Sequence, residues 1–404
     1  MSNGLDIDEP IGLLDIDEPS GLVDIYETDT IVTHRFRNQV EFAAKGLARL
    51  ANHDYTLGLY NTPADLSINR LRSKKYLLTE LHSNLLPVLR QQIISLSQAL
   101  GDSNSLRLNP APTLKLVIAI QPKLELTLHR IIRAIKDLIP GMVYESTLTN
   151  DQHFKELKRY RLRGLDCFIK DVLRTHLNSF FLNCRRLIET LILPAGDQTD
   201  VQALFIGELL QSIDSVVTWS HGSELHQISD QWKLSANHLN FLLNNAFFLA
   251  EPNQGSYTGS VIELTKSFIP VIKLSKLFFN KMTTGGMAKN KLPIFTEMSS
   301  HQLRSLDESV EEIKNYTGGL MYLLPLAVED QQVPTITLGD NIEKLSACFQ
   351  SCLFLIDLYI LPRCVETNSC SSQTCLRTWL VTWRTLFSQA TINATEACES
   401  YEAE

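Results

Sequence analysis

Between residues 31 and 395 the apolar side chains recur at intervals of three and four, the spacing that places one stripe of a helix against a core. The pattern predicts helices near 31–52, 66–100, 112–138, 152–192, 199–219, 223–250, 258–282, 300–328, 338–361 and 374–395. Asp65, Asp151, Ser223 and Ser299 or Ser300 precede several of these starts and have side chains suited to capping free helix N–H groups. Continuous β-branched runs bounded by turns are missing, so the expected fold class is all-α. Pro87, Pro122, Pro270 and Pro325 fall inside the apolar pattern, where each removes an N–H and is expected to kink or end its helix. Leu193-Pro-Ala-Gly-Asp-Gln198 has the composition of a break. Placing the boundary there gives two antiparallel up-and-down bundles, 31–193 and 199–395, built from long, proline-kinked helices. The similarity of Leu85–Arg90 to Phe268–Lys273 hints at two related halves. Thr283 to Pro293 reads as a second interruption.

Three imperfect repeats precede this helical body: Gly4-Leu-Asp-Ile-Asp-Glu-Pro10, Gly12-Leu-Leu-Asp-Ile-Asp-Glu-Pro19 and Gly21-Leu-Val-Asp-Ile-Tyr-Glu-Thr28. Their Gly and Pro oppose helix, and their acids alternate with Leu and Ile, so residues 1–30 read as a disordered acidic tail. They serve either to solvate the chain or to dock apolar side chains in a groove. The charge is divided accordingly. Residues 1–30 carry nine acids and no Lys or Arg, residues 396–404 read as a second acidic tail with four Glu, and 31–395 are left mildly basic at +5 within a net −8. Bulk charge this weak does not argue for a nucleic-acid partner, which is not expected and stays a third option through the 152–192 helix. The 404 residues suffice for two or three domains at about 100–200 each, and 44% hydrophobic content is enough for real cores. No uninterrupted apolar run approaches the ~18–20 residues of a membrane span; the longest, Cys352 to Leu361, is broken by Asp357. The start has neither a basic nor an apolar leader segment. The expected address is therefore cytoplasmic or nuclear, with the eight cysteines reduced; export would need an unconventional route.

Candidate chemistry is sparse. Nucleophile-elbow, phosphate-loop and dinucleotide glycine patterns are missing, and Gly285-Gly-Met-Ala-Lys-Asn-Lys291 imitates a phosphate loop without the strand and helix around it. His221, Glu224 and His226 form a weak metal triad at the wrong helical offset, so ordinary histidines are the better account. Cys348 and Cys352 suit a buried helix face, whereas Cys364, Cys370 and Cys375 sit in a Ser-rich stretch. Their x5 and x4 spacing is poor for zinc, and free thiols are preferred over a labile disulfide. On a continuous helix from 152, Lys155, Arg159, Arg163, Lys170 and Arg174 fall within an arc of about 100°. They oppose Phe154, Leu157, Leu165, Phe168, Ile169 and Val172. The five bases read as a solvated face or as a docking strip for an acidic partner. Arg70-Leu-Arg-Ser-Lys-Lys75 faintly resembles an import signal.

Asn150-Asp-Gln-His-Phe-Lys-Glu-Leu-Lys-Arg159, Ile269-Pro-Val-Ile-Lys-Leu-Ser-Lys-Leu-Phe-Phe-Asn-Lys281, Leu292-Pro-Ile-Phe-Thr-Glu-Met-Ser-Ser300 and Trp379-Leu-Val-Thr-Trp383 resemble a large uncharacterised family of long helical proteins from rust fungi. The resemblance runs over roughly 65–390 and brings no catalytic positions with it. More distantly, the two-bundle layout is similar to cyclin-D-binding helical adaptors. Neither resemblance supplies an activity; abundant long amphipathic helices without a reactive constellation lead instead to the expectation of a non-enzymatic helical scaffold or adaptor without cofactor. It would bind a protein partner through bundle grooves, the basic face and the acidic tail. The alternatives are a helical enzyme or metal-binding protein whose site comes from distant residues, and a host-directed effector, which the missing leader disfavours. All of this presumes that the helix-facing interior is apolar and holds no reactive group.

Overall fold

The computed structural model describes residues 25–53, 67–101, 109–139, 150–192, 206–251, 259–286, 293–330, 335–365 and 371–403. Every regular element among them is helical, as the period predicts. The α-helices are α1 (Ile25–Ala51), α2 (Ile68–Glu80), α3 (Leu86–Gly101), α4 (Pro110–Leu138), α5 (Arg159–Cys167), α6 (Arg174–Glu189), α7 (Gly207–His221), α8 (Glu224–Leu249), α9 (Gly259–Lys281), α10 (Ser300–Asp330), α11 (Thr335–Leu355) and α12 (Ser371–Ala403). Turns of π-helix, Leu81–Leu85 and Phe168–Leu173, carry α2 into α3 and α5 into α6. Chain direction survives such a turn, but the faces beyond it are rotated.

Two apolar cores organise these helices. In α4, Leu114, Val117, Leu124, Leu128, Ile131, Ile135 and Leu138 bury one stripe. They pack in the first core with α1, α3, α6 and α7, and α1 lies against α6 and α4 rather than against its neighbour α2. The second core joins α8 to α12 around a ring cluster. Phe278 and Trp383 have centroids 4.9 Å apart, Phe349 and Phe387 4.7 Å, and Trp383 stacks on Phe387 at 4.8 Å. Offset or edge-on rings of this kind add about 0.5–1.5 kcal/mol per pair to the area they bury.

The expected break at 193–198 lies outside the described residues. Beyond it, Leu209, Ile213 and Val216 of α7 still belong to the first core, so the changeover between cores comes at Gly222. The prolines do not end their helices: α4 runs through Pro122, α9 through Pro270 and α10 past position 325, while Pro87 sits just after the π turn that precedes α3. Residues 25–30 of the expected acidic tail lie in α1, and 1–24 lie outside the described residues. The second tail is corrected outright. Helix α12 continues through Ala403, because Ala394, Ala397, Cys398 and Tyr401 extend its apolar stripe and turn Glu396 and Glu399 outward. Residues 337–363 form one helical stretch holding an 18-residue window of mean hydropathy 1.6, long and apolar enough by composition to cross a bilayer, but half of that window is buried inside the protein.

Candidate functional site

The sequence directs a polar cluster to the seam between the two cores. Helix α5 begins at Arg159 and serves both sides of it: Tyr160 packs in the second core, Leu165 in the first, and Trp219 of α7 against both. Gly164 permits the α5–α7 approach, since a Cβ there would stand 1.8 Å from the Trp219 ring. The Trp219 Nε1–H then donates to the Arg161 carbonyl at 2.8 Å.

Three stretches distant in sequence meet here. Asp151 accepts from the Arg159 N–H at 2.9 Å through Oδ2 and from the Ser300 N–H at 2.7 Å through Oδ1, and also from the Ser300 hydroxyl. One carboxylate thus caps the positive ends of α5 and α10. The Ser300 Oγ in turn accepts from the Tyr160 N–H at 2.8 Å. Ser299 and Gln302 close a capping box at the same start of α10, with the Ser299 N–H donating to Gln302 Oε1 at 2.9 Å. Lys158 and Glu224 are both fully enclosed and paired at 3.0 Å. The Lys158 ammonium also donates to the Thr296 carbonyl at 2.7 Å and to its Oγ1 at 3.4 Å. Glu224 Oε2 accepts from the Thr296 N–H and hydroxyl, each at 2.8 Å. Arg161 reaches the carboxyl end of α7, donating to the carbonyls of Gly222 at 2.8 Å, Ser220 at 3.0 Å and Trp219 at 3.4 Å. Its positive charge complements the unpaired carbonyls of that end.

Burial governs the titration of these groups. It pushes Lys158 below the usual lysine range, and Glu224 works against that shift. It pushes the Tyr160 hydroxyl well up, with Asp307 adding to the effect, and raises Asp307 to about 6. The three ammonium protons of Lys158 have three acceptors, and both partners are fully enclosed, so neither presents an atom to a substrate unless the seam opens. Within this cluster, among the described residues, Glu224 Oε1 and Arg161 Nε have no hydrogen-bond partner, while the Tyr160 hydroxyl faces the Asp307 carboxyl. The expectation of an interior without ionisable groups is therefore wrong here.

The predicted basic strip does not survive. Residues 152–157 form a short 3₁₀ turn rather than the start of a helix, and Lys155 has φ 53°, so it does not share an axis with the rest. Beyond Arg159 and the exposed Arg163, the π turn rotates Lys170 and Arg174 out of register. Lys170 pairs with Asp166 at 2.7 Å, and Arg174 lines an open cleft of about 550 Å³ with Ala51, Asn52, His53, Thr175 and Asn178. The bases that matter, Lys158 and Arg161, were left out of the arc. A signal for Arg161 was present: with Leu165, Ile169 and Leu173 it recurs every fourth residue along the buried stripe.

The other candidates disperse. Glu224 turns to Lys158, His226 to Asp230 at 3.5 Å, and the His221 ring lies 5.6 Å from that of His82. Among the described residues no three His, Cys, Asp or Glu side chains gather as a metal site. Cys348 and Cys352 are buried thiols, as their spacing predicts. Position 370 lies outside the described residues, as do the side chains at 364 and 375, and most of the Gly285–Lys291 loop is also outside.

A different surface stands out on α8. From Leu234 to Leu249 this helix has no Asp, Glu, Lys or Arg. Its outer face presents Leu234, Phe241 and Phe248 at 64%, 60% and 54% exposure, seven residues apart and interspersed with Asn237, Asn244 and Asn245. Aromatic residues without charge are the composition of an interface centre rather than of a solvated face.

Residues 74–221 match a domain of unknown function (DUF8723), and residues 223–396 match a second (DUF8721). The two meet at Gly222, where the cores also change over. No curated protein and no solved structure matches the chain.

Proposed function

We propose that this protein is a non-enzymatic helical scaffold or adaptor that holds a protein partner on the outer face of α8, with the acidic N-terminal segment as a second contact. The observation that carries the reading is the charge-free stripe of Leu234, Phe241 and Phe248. Full burial of a side chain of this size is worth about 1.5–3 kcal/mol, and a docked partner recovers the part of it that these half-exposed residues forgo. The enclosed Lys158–Glu224 seam removes the apolar-interior premise behind the sequence expectation of an adaptor, so the reading rests on the α8 face alone; Lys158, Arg161 and Asp151 spend their bonds on helix ends and loop backbone. Phe241→Asp with Phe248→Asp tests it. Proteins retained by the wild-type chain in affinity capture are expected to be lost by the variant at unchanged circular dichroism; identical captured sets would end the reading.

A second reading, a small-molecule site reached when the seam opens, is favoured by the unpartnered Glu224 Oε1. Native mass spectrometry checks it. A bound molecule present in the wild type and lost in Glu224→Gln would support that site, and an unliganded wild-type mass would exclude it.

A further inference from the structure

Helix α9 borders the α8 stripe with positive charge. The link between them is short and the Trp232 ring lies 5.4 Å from that of Phe279, while Lys276 Nζ donates to Asn240 Oδ1 at 2.6 Å, so the two helices run antiparallel. Lys276, Lys273 and Lys266 therefore follow one another along the Asn240 edge of α8, about 80–100° around the helix from Phe248 and Phe241, with Leu277, itself 44% exposed, toward the Leu234 end. Glu263 is the acid paired on this border, with Lys266 at 2.7 Å.

We infer that the occupant of this face is the chain's own segment 1–24. That segment carries seven acids, no Lys or Arg, and an apolar residue beside nearly every acid, in the repeated Leu-Asp-Ile-Asp-Glu order. Its chemistry complements the face twice over, apolar side chains for the Leu and Phe stripe and carboxylates for the lysines beside it. Reach is sufficient: 24 residues extend up to about 80 Å, whereas a folded chain of 404 residues has a radius of gyration of about 22 Å. Being tethered, a weakly binding repeat sees the face at an effective concentration near the millimolar range, and the repeats offer it several chances. A separate partner must then displace the segment. The inference rests on reading α8 as a docking face and names what covers that face in the resting chain.

Among the described residues the first to pack on either core is Phe36, so a chain lacking residues 1–24 keeps every described core position. The experiment titrates a fluorescent peptide of residues 1–24 against that shortened chain and against the full chain, following anisotropy. The peptide is expected to bind the shortened chain at least tenfold more tightly than the full chain. It should lose at least tenfold on Phe241→Ser with Lys273→Glu in the shortened chain, and should weaken as salt rises. Equal binding to both chains, no binding to the shortened one, or indifference to the two substitutions would each overturn the inference. Dimerisation of the shortened chain through Phe241 without peptide binding would also overturn it and assign the face to a second copy. The readouts separate the two proposals. A peptide that binds while no separate protein is ever captured leaves the tail contact and ends the adaptor reading; a partner captured through Phe241 by a chain whose tail does not bind does the reverse.

Discussion

Asp307 shows how a single residue ties this fold to pH. Its carboxyl faces Tyr160 from α10 and is held up to about 6, chiefly by burial. Its folded value thus lies above the ordinary 3.8, so the folded state binds the proton more tightly than the unfolded chain. The sign follows. The contribution to stability is fully present below about pH 4, is lost as pH rises through about 6, and is flat beyond. The span is of the order of 3 kcal/mol at most. Asp307→Asn should therefore be more stable than wild type at pH 7 and should lose that advantage at pH 4, by urea unfolding at both values. An Asn variant less stable at pH 7 would show that the carboxylate is needed ionised.

Among the elements, α5 is the shortest helix to touch both cores, and its seat depends on Gly164. Any side chain there collides with Trp219, and overpacking of this kind costs typically about 1–3 kcal/mol. Gly164→Ala is expected to lower the melting temperature, and Trp219→Leu, by making room, to restore part of the loss in the double variant. Losses that simply add would mean that the close approach is relieved elsewhere. Elements also show how far local pattern carried. The helical positions were legible from apolar spacing, and the buried thiols of Cys348 and Cys352 with them. The basic strip failed because its arc assumed one unbroken axis, while a positive φ at Lys155 and the π turn after Cys167 rotate the faces. The acidic end at 396–404 was misread because counting charges missed the apolar stripe through Cys398 and Tyr401.

Across the whole molecule, the seam decides whether the two cores unfold together. The Lys158–Glu224 pair links α5 to α8 and to the loop at Thr296, and removing one partner of an enclosed pair costs about 3–5 kcal/mol by leaving a bare charge. Lys158→Met should therefore split a single calorimetric transition into two, one for each core. One transition merely shifted to lower temperature would mean that the cores remain coupled through Trp219 and α5 alone.

The paired stretches show where inference from sequence stopped. Asn150–Arg159 and Leu292–Ser300 were distinctive as strings, and so were Ile269–Lys281 and Trp379–Trp383. The fold brings the first two together at Asp151 and Ser300, and the other two where Trp383 Nε1–H donates to the Leu274 carbonyl at 2.8 Å. The chain by itself determined its helices, because apolar periodicity is a local property written within each turn. Only the tertiary structure decided that Lys158 neutralises Glu224, 66 positions away, and that Asp151 caps a helix 149 positions on. A buried charge is stable only beside its counter-charge, and which counter-charge it meets depends on how the helices pack.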